Sequence, residues 1–232
     1  MEMTPRRWQD TCQYLSDVFG RVDGPSGDAQ LATLMPRAVA AGLPDIAVSH
    51  DVGRLLKLLT QTATHDAAST GVVIELGTLA GYSGIWLARG LPASGRLITV
   101  EYEPEHARFA SAEFERAGVG DCVEVIIGAA LDVLPRLAER LGPRSIDMAF
   151  LDAIKTEYER YAAILTPMLR PGGLLVADNA LGSGSWWIDS PPGTSPERDA
   201  VDRFNRTVAG NPGFQTACVP IRQGVLIARK TD

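Results

Sequence analysis

The sequence predicts an α/β fold with a doubly wound, mostly parallel sheet, and three observations carry that expectation. From Val72 onward, short apolar runs alternate with amphipathic stretches of helical period, the pattern of repeated βαβ units. A glycine-rich turn, Glu75-Leu-Gly77-Thr-Leu-Ala-Gly81-Tyr-Ser-Gly84, follows the first run, and acidic residues close the later ones. Near the C-terminus, two further runs lie close enough to pair as an antiparallel hairpin.

Taken in order, Val72–Leu76, Arg96–Val100, Val123–Ile127, Ile146–Leu151 and Gly173–Ala177 have strand length and are mostly bounded by glycine, proline or acidic residues. They give five parallel strands. Ser83–Arg89, Pro104–Ala117, Ala130–Leu141 and Tyr158–Leu169 carry helical periodicity between them, with Pro104 suited to a first helical turn. After Asp178 come a loop rich in Gly, Ser, Trp and Pro (Gly182–Pro196), a helix near Glu197–Ala209, and the runs Phe214–Pro220 and Gln223–Ala228, joined through Ile221-Arg222. The hairpin brings the expected sheet to seven strands of Rossmann-like, doubly wound type. Upstream, Pro5–Val18, Gln30–Ala41 and Asp51–Ala63 read as helices. They have too few residues for an independent domain and suggest a lid or a subunit contact. The expectation is one domain over 1–232, with a helical extension at 1–65 and a cofactor-binding and catalytic core at 70–232.

Composition narrows the function classes. The 232 residues are 45% hydrophobic and 22% charged, so a sizeable core can form and wholesale disorder is disfavoured. A net charge of -6, with dispersed Lys and Arg, argues against a nucleic-acid footprint. Cys12, Cys122 and Cys218 have neither zinc spacing nor a disulfide framework. No apolar stretch of signal-peptide or transmembrane length stands out. The expectation is a cytoplasmic protein that binds neither membrane nor nucleic acid.

In an open parallel sheet, ligands bind beyond the carboxyl ends of the strands. Gly77 and Gly81 lie at such an end, where missing side chains let backbone N–H groups approach a ligand closely, and Ser83 adds a hydroxyl. Glu101, at the end of the second strand, can accept hydrogen bonds from both hydroxyls of a ribose. The same glycines can also serve a plain tight turn, and Glu101 a helix cap. The spacing Gly77-x-x-x-Gly81-x-x-Gly84 departs from the Gly-x-Gly-x-x-Gly of a dinucleotide cradle. A wider loop that starts Glu-x-Gly suits S-adenosylmethionine, whose carboxylate and amino group need a mixed site.

Asp152 and Asp178 end the fourth and fifth strands, so their carboxylates should lie side by side, and Asn179 adds an amide oxygen. An all-oxygen set of this kind suits Mg²⁺, with Mn²⁺ or Ca²⁺ as alternatives, and does not suit zinc. Asp-Asn after a strand is equally a turn or cap signal. Lys155, three residues after Asp152 at the same mouth, is placed to act as a base beside a cation; its ordinary fate would be a solvated surface lysine.

At these residues the chain resembles the cation-dependent class I O-methyltransferases, the group of caffeoyl-CoA and catechol O-methyltransferases and their bacterial relatives. The carriers are Val48-Ser-His-Asp-Val-Gly53, Glu75 to Ser83, Glu101, Gly128-Ala-Ala130, Leu151-Asp152-Ala-Ile-Lys155 with Tyr158 and Tyr161, Pro171-Gly-Gly173 and Asp178-Asn179. The resemblance implies that Asp152, Asp178 and Asn179 hold the metal and that Lys155 helps to deprotonate the substrate hydroxyl. It also implies that Val48, Glu75, Gly77, Ser83, Glu101, Ala130 and Asp152 serve the cofactor, with Asp152 shared by metal, cofactor and chemistry. A homodimer and a small aromatic, catechol-like hydroxylated substrate follow from the same likeness. Two positions depart from the pattern. Ile154 stands where many members have Asp, and Ala130 lacks a hydroxyl that some members carry. Trp186 and Trp187, in the loop after Asp178-Asn179, could stack on a flat substrate, anchor the loop, or form a dimer contact. Rival readings are a nicotinamide-dependent oxidoreductase, disfavoured by the glycine spacing and a missing Tyr-x-x-x-Lys pair, and a cofactor-binding scaffold without turnover.

Overall fold

A computed structural model describes residues 4–19, 28–66, 68–182 and 191–232. Trp186 and Trp187 lie outside these residues. Helices α1 (Pro5–Phe19), α2 (Ala29–Ala40) and α3 (His50–Thr64) precede a βα alternation. It runs β1 (Val72–Leu76), α4 (Tyr82–Ala88), β2 (Arg96–Glu101), α5 (Pro104–Arg116), β3 (Val123–Ile127), α6 (Ala130–Leu141), β4 (Ile146–Leu151), α7 (Tyr158–Met168) and β5 (Leu169–Ala177). Helix α8 (Pro196–Ala209) and the hairpin β6 (Phe214–Val219) and β7 (Val225–Lys230) complete the chain. The seven strands form one sheet in the order β3-β2-β1-β4-β5-β7-β6. Strands β1 to β5 are parallel, and β7 pairs antiparallel with both β5 and β6.

The order reverses between β2-β1 and β4, which opens a crevice at the carboxyl ends of β1 and β4, the usual ligand position in such sheets. Alternation along β1 assigns its side chains to two cores. Ile74 and Leu76 join Val133, Leu137, Tyr158, Leu165 and Phe204 of α6, α7 and α8. Val73 turns to the other face, against Leu34, Leu56, Ile85 and Phe114 of α2 to α5. Glu75 shares the parity of Val73 and is driven into the same interior, with no exposed surface.

Two differences from the sequence reading have physical causes. Strand β5 begins at Leu169 rather than Gly173, because the Pro171-Gly172-Gly173 step is absorbed by a bulge. The register jumps from Ile146↔Leu169 to Met148↔Leu174 there and pairing survives it. Helices α2 and α3 are a layer of the sheet's core rather than a lid, since Leu31, Leu34, Val52 and Leu56 are all but fully buried. Helix α2 is also pinned from outside the sheet: Arg37 bonds the buried Glu113 of α5 at 2.5 Å, and Arg89 pairs with Asp28, which caps α2. Among the described residues, no helix is long and apolar enough to cross a membrane.

Candidate cofactor and cation site

A cavity of about 940 Å³ opens over the carboxyl ends of β1, β2 and β4. Val48, Gly77, Ser83, Glu101, Ala130, Asp152, Lys155 and Asn179 all stand on its wall. Asp178 sits directly behind, with no exposed surface. Glu75 is set beneath the wall instead, under the start of α4.

The β1–α4 turn is shaped by contacts that leave no room for side chains. Gly77 has φ 96°, where an L-residue is strained, and a Cβ there would overlap the carbonyl oxygen of Asp152 and lie 2.9 Å from its carbonyl carbon. This close approach brings the ends of β1 and β4 together. Asp152 N–H donates to Leu76 O at 2.9 Å across the same gap. Glu101 holds the loop from the other side. Its Oε2 accepts the N–H groups of Thr78 (3.1 Å) and Leu79 (2.8 Å), and its Oε1 accepts that of Glu103 (2.9 Å). A carboxylate has about four acceptor positions, so Glu101 keeps capacity for hydroxyl donors in the cavity while it fixes the turn.

Glu75 is an acid of the site with no exposed surface. Burial pushes its carboxyl up to about 8, against the pull of the Ser83 and Thr99 hydroxyls. Thr99 Oγ1 donates to Oε2 at 2.7 Å, and Oε1 is buried with no partner in the protein. Such an orphaned acceptor marks a site prepared for a donor.

Opposite the loop, Lys155 Nζ donates to Asp152 Oδ1 at 2.7 Å and to the Tyr158 hydroxyl at 2.9 Å. Tyr158, fully buried, donates its own hydroxyl hydrogen bond to Leu151 O at 2.9 Å, which fixes the lysine's second partner. The chain from Leu151 to Tyr158 thus folds back on itself through a single 3₁₀ turn at Lys155–Glu157. Asp178 is raised to about 6, first by desolvation and then by the neighbouring Asp152 charge, with Arg222 and Lys155 opposing. Its Oδ2 accepts from Arg222 Nη1 at 3.2 Å, and its Oδ1 is buried without a partner. Asn179, at φ 58°, donates its amide nitrogen to Gln223 Oε1, which turns its amide oxygen away from that contact. Among the described residues, no cluster of three or more His, Cys, Asp or Glu side chains gathers for a metal; the set here is two carboxylates and an amide. A hard cation fits it: the donors are oxygens, one is unsatisfied, and two carboxylates crowd one another.

Of the four non-glycine residues with positive φ among those described, Leu79, Asn179 and Arg222 line this cavity, and backbone strain of this kind concentrates at functional sites. The sequence reading did not single out Arg222 and Gln223. The available signal was that the hairpin turn carrying them must fall beside the end of β5 once β7 pairs with it. His106 also stands on the cavity wall, with its Nδ1 3.6 Å from Glu101 Oε1.

Comparison with known proteins supplies the family. The O-methyltransferase family model matches residues 26–231. A catechol O-methyltransferase of Niastella koreensis is 40% identical over 209 residues, covering 90% of this chain and 89% of that one. One of Mycobacterium tuberculosis is 43% identical over 192 residues, covering 83% and 82%. The O-methyltransferase TomG of Streptomyces achromogenes, solved in complex with S-adenosylmethionine, superposes with a TM-score of 0.82 at 32% identity and 100% coverage of both chains. An O-methyltransferase of Bacillus cereus in complex with S-adenosylhomocysteine gives 0.81 at 32% identity, covering 97% and 99%. With matches that span most of its length, this chain belongs to the O-methyltransferase family of enzymes.

Proposed function

We propose that the protein is an S-adenosylmethionine-dependent, divalent-cation-dependent O-methyltransferase that methylates one hydroxyl of a small, catechol-like aromatic. The observation that carries this reading is the juxtaposition at one cavity of the glycine turn with the Asp152–Asp178–Asn179 oxygen set. Two relatives named catechol O-methyltransferase support the acceptor class, and structures in complex with S-adenosylmethionine and S-adenosylhomocysteine support the donor.

In this reading Val48, Gly77, Ser83, Glu101 and Ala130 line the donor's side of the cavity, and Glu101 accepts from its ribose hydroxyls. Glu75, beneath Ser83, is held protonated by burial and would ionise against the donor's ammonium end, whose positive charge offsets that burial. When bound, S-adenosylmethionine supplies a sulfonium-activated methyl group. Asp152, Asp178 and Asn179 would hold the cation, which supplies positive charge that favours ionisation of an acceptor hydroxyl. Lys155 would take the acceptor's proton as a free amine, its ammonium having first released a proton to solvent, and Tyr158 keeps Nζ aimed at the Asp152 side. Ile154, exposed at the mouth, presents an apolar edge to the acceptor's ring. Trp186 and Trp187 are proposed to stack on that ring. Most of the protein's contribution is orientation, which in well-aligned reactions is worth roughly 7–11 kcal/mol of barrier. We also propose a homodimer, supported by the exposed Tyr14, Val18 and Phe19 of α1 and Leu58 of α3; sedimentation at the mass of one chain would refute it.

The test is to incubate the protein with S-adenosylmethionine, Mg²⁺ and a panel of catechols, caffeoyl thioesters and hydroxylated polyketide-like aromatics, and to follow products by mass spectrometry. Mono-O-methylated product from at least one vicinal diol is expected. Turnover of none, or hydride transfer with a nicotinamide cofactor instead, overturns the reading.

A further inference from the structure

The β6–β7 turn is fastened to the cation side of the cavity residue by residue. Arg222 Nη1 bonds Asp178 Oδ2 at 3.2 Å, and the next residue, Gln223, takes the amide of Asn179. The backbones are stitched together as well, in antiparallel sense, with Ala180 N–H donating to Gly224 O at 2.9 Å and Leu181 N–H to Gln223 O at 2.8 Å. A side chain on Gly224 would collide with Leu181, so the turn is pressed flat against the end of β5. Arg222 holds φ 49° to reach its partner. A strained turn residue that places a guanidinium against a fully buried carboxylate, with its own side chain about 29% exposed on the cavity wall, is not a solvated surface arginine.

We propose that Arg222 is a resident cation of the divalent-ion site: it neutralises Asp178 when no ion is bound, and its charge weakens and so tunes ion binding. This rests on the cation-dependent reading above. The physical ground is that a guanidinium and a divalent ion on one carboxylate repel one another at low effective dielectric, and that ion binding must displace the guanidinium or tolerate it. Removing one partner of such a pair matters little when the pair is exposed and much more when the remaining charge is buried; a guanidinium about 29% exposed against a buried carboxylate lies between.

The test is Mn²⁺ binding to the full chain at pH 8, by calorimetry and by loss of the free-ion electron paramagnetic resonance signal, with no turnover needed. Arg222→Gln is expected to tighten Mn²⁺ about tenfold. Arg222→Lys, which keeps the charge and meets the same backbone, is expected to stay within about twofold of the parent. Arg222→Gly, which also relieves the positive φ, provides a second neutral variant should Arg222→Gln fold poorly. Unchanged or weaker binding in the neutral variants, or equal tightening in Arg222→Lys, overturns the proposal while leaving the cation reading intact. If the parent binds no Mn²⁺ at all, the cation reading falls and this proposal with it.

Discussion

Replacing Glu75 by glutamine should change how stability depends on pH, and the size of the change can be worked from its burial. The folded chain raises this carboxyl from its ordinary 4.5 to about 8. A raised acid favours the folded state fully below its unfolded value and loses that contribution as pH climbs toward the folded one. Between 4.5 and about 8, at ~1.4 kcal/mol per pH unit, the loss totals about 5 kcal/mol at most. Glutamine is neutral throughout and keeps an oxygen for the Thr99 hydroxyl. Glu75→Gln should therefore flatten the stability profile between pH 5 and 8 and be the more stable protein at pH 8, by up to a few kcal/mol. Urea denaturation followed by circular dichroism at several pH values reads this directly. Equal slopes in the two proteins would refute the account of Glu75 as a buried, unsatisfied acid. The same variant should bind S-adenosylmethionine more weakly, because the donor's ammonium loses its counter-charge.

Three further outcomes are expected. Gly77→Ala places a Cβ at positive φ and against the Asp152 backbone; it should cost about 3 kcal/mol of stability and weaken donor binding, and an unaffected melting temperature would count against the close approach of β1 and β4. Lys155→Met should lower kcat by about a hundredfold or more with S-adenosylmethionine affinity unchanged in calorimetry; a normal kcat would remove Lys155 from the chemistry. Asp178, raised to about 6, must be ionised to hold a cation, so apparent Mg²⁺ affinity should fall about tenfold per pH unit below about 6, whereas the ion-free protein gains stability as that acid protonates. A cation affinity flat from pH 5 to 8 would show that Asp178 is not a ligand.

Much of the fold was legible because short, mostly apolar runs between turn signals mark sheet strands, and the inner strands β1 and β4 are buried along their whole length. Val72–Leu76, Val123–Ile127 and Ile146–Leu151 are delimited as their composition suggests, and α6 begins and ends where its periodicity does. Boundaries failed where one residue type has two uses. Pro171-Gly172-Gly173 reads as a break, yet a bulge in the β4–β5 pairing accommodates it inside β5. Helices α2 and α3 read as a lid or a subunit contact because their partners, Phe114, Trp86 and the face of β4, are distant in sequence. At the site, glycines and strand-end acids were visible because backbone approach and topology restrict residue type there. The position of Glu75 beneath the wall follows from strand parity, which motif matching ignores. Arg222 was out of reach, since an arginine in a turn gains its meaning only when β7 docks on β5 and carries it to Asp178.

The central claim is that methyl transfer runs at a cation held by Asp152, Asp178 and Asn179 beside the donor cavity. Transfer of a radiolabelled methyl group from S-adenosylmethionine to a catechol, measured after dialysis against EDTA, tests it most directly. The account predicts no transfer in EDTA, recovery on adding Mg²⁺, and no recovery in Asp152→Ala despite an unchanged circular dichroism spectrum. Full activity in EDTA, or in Asp152→Ala, would contradict it.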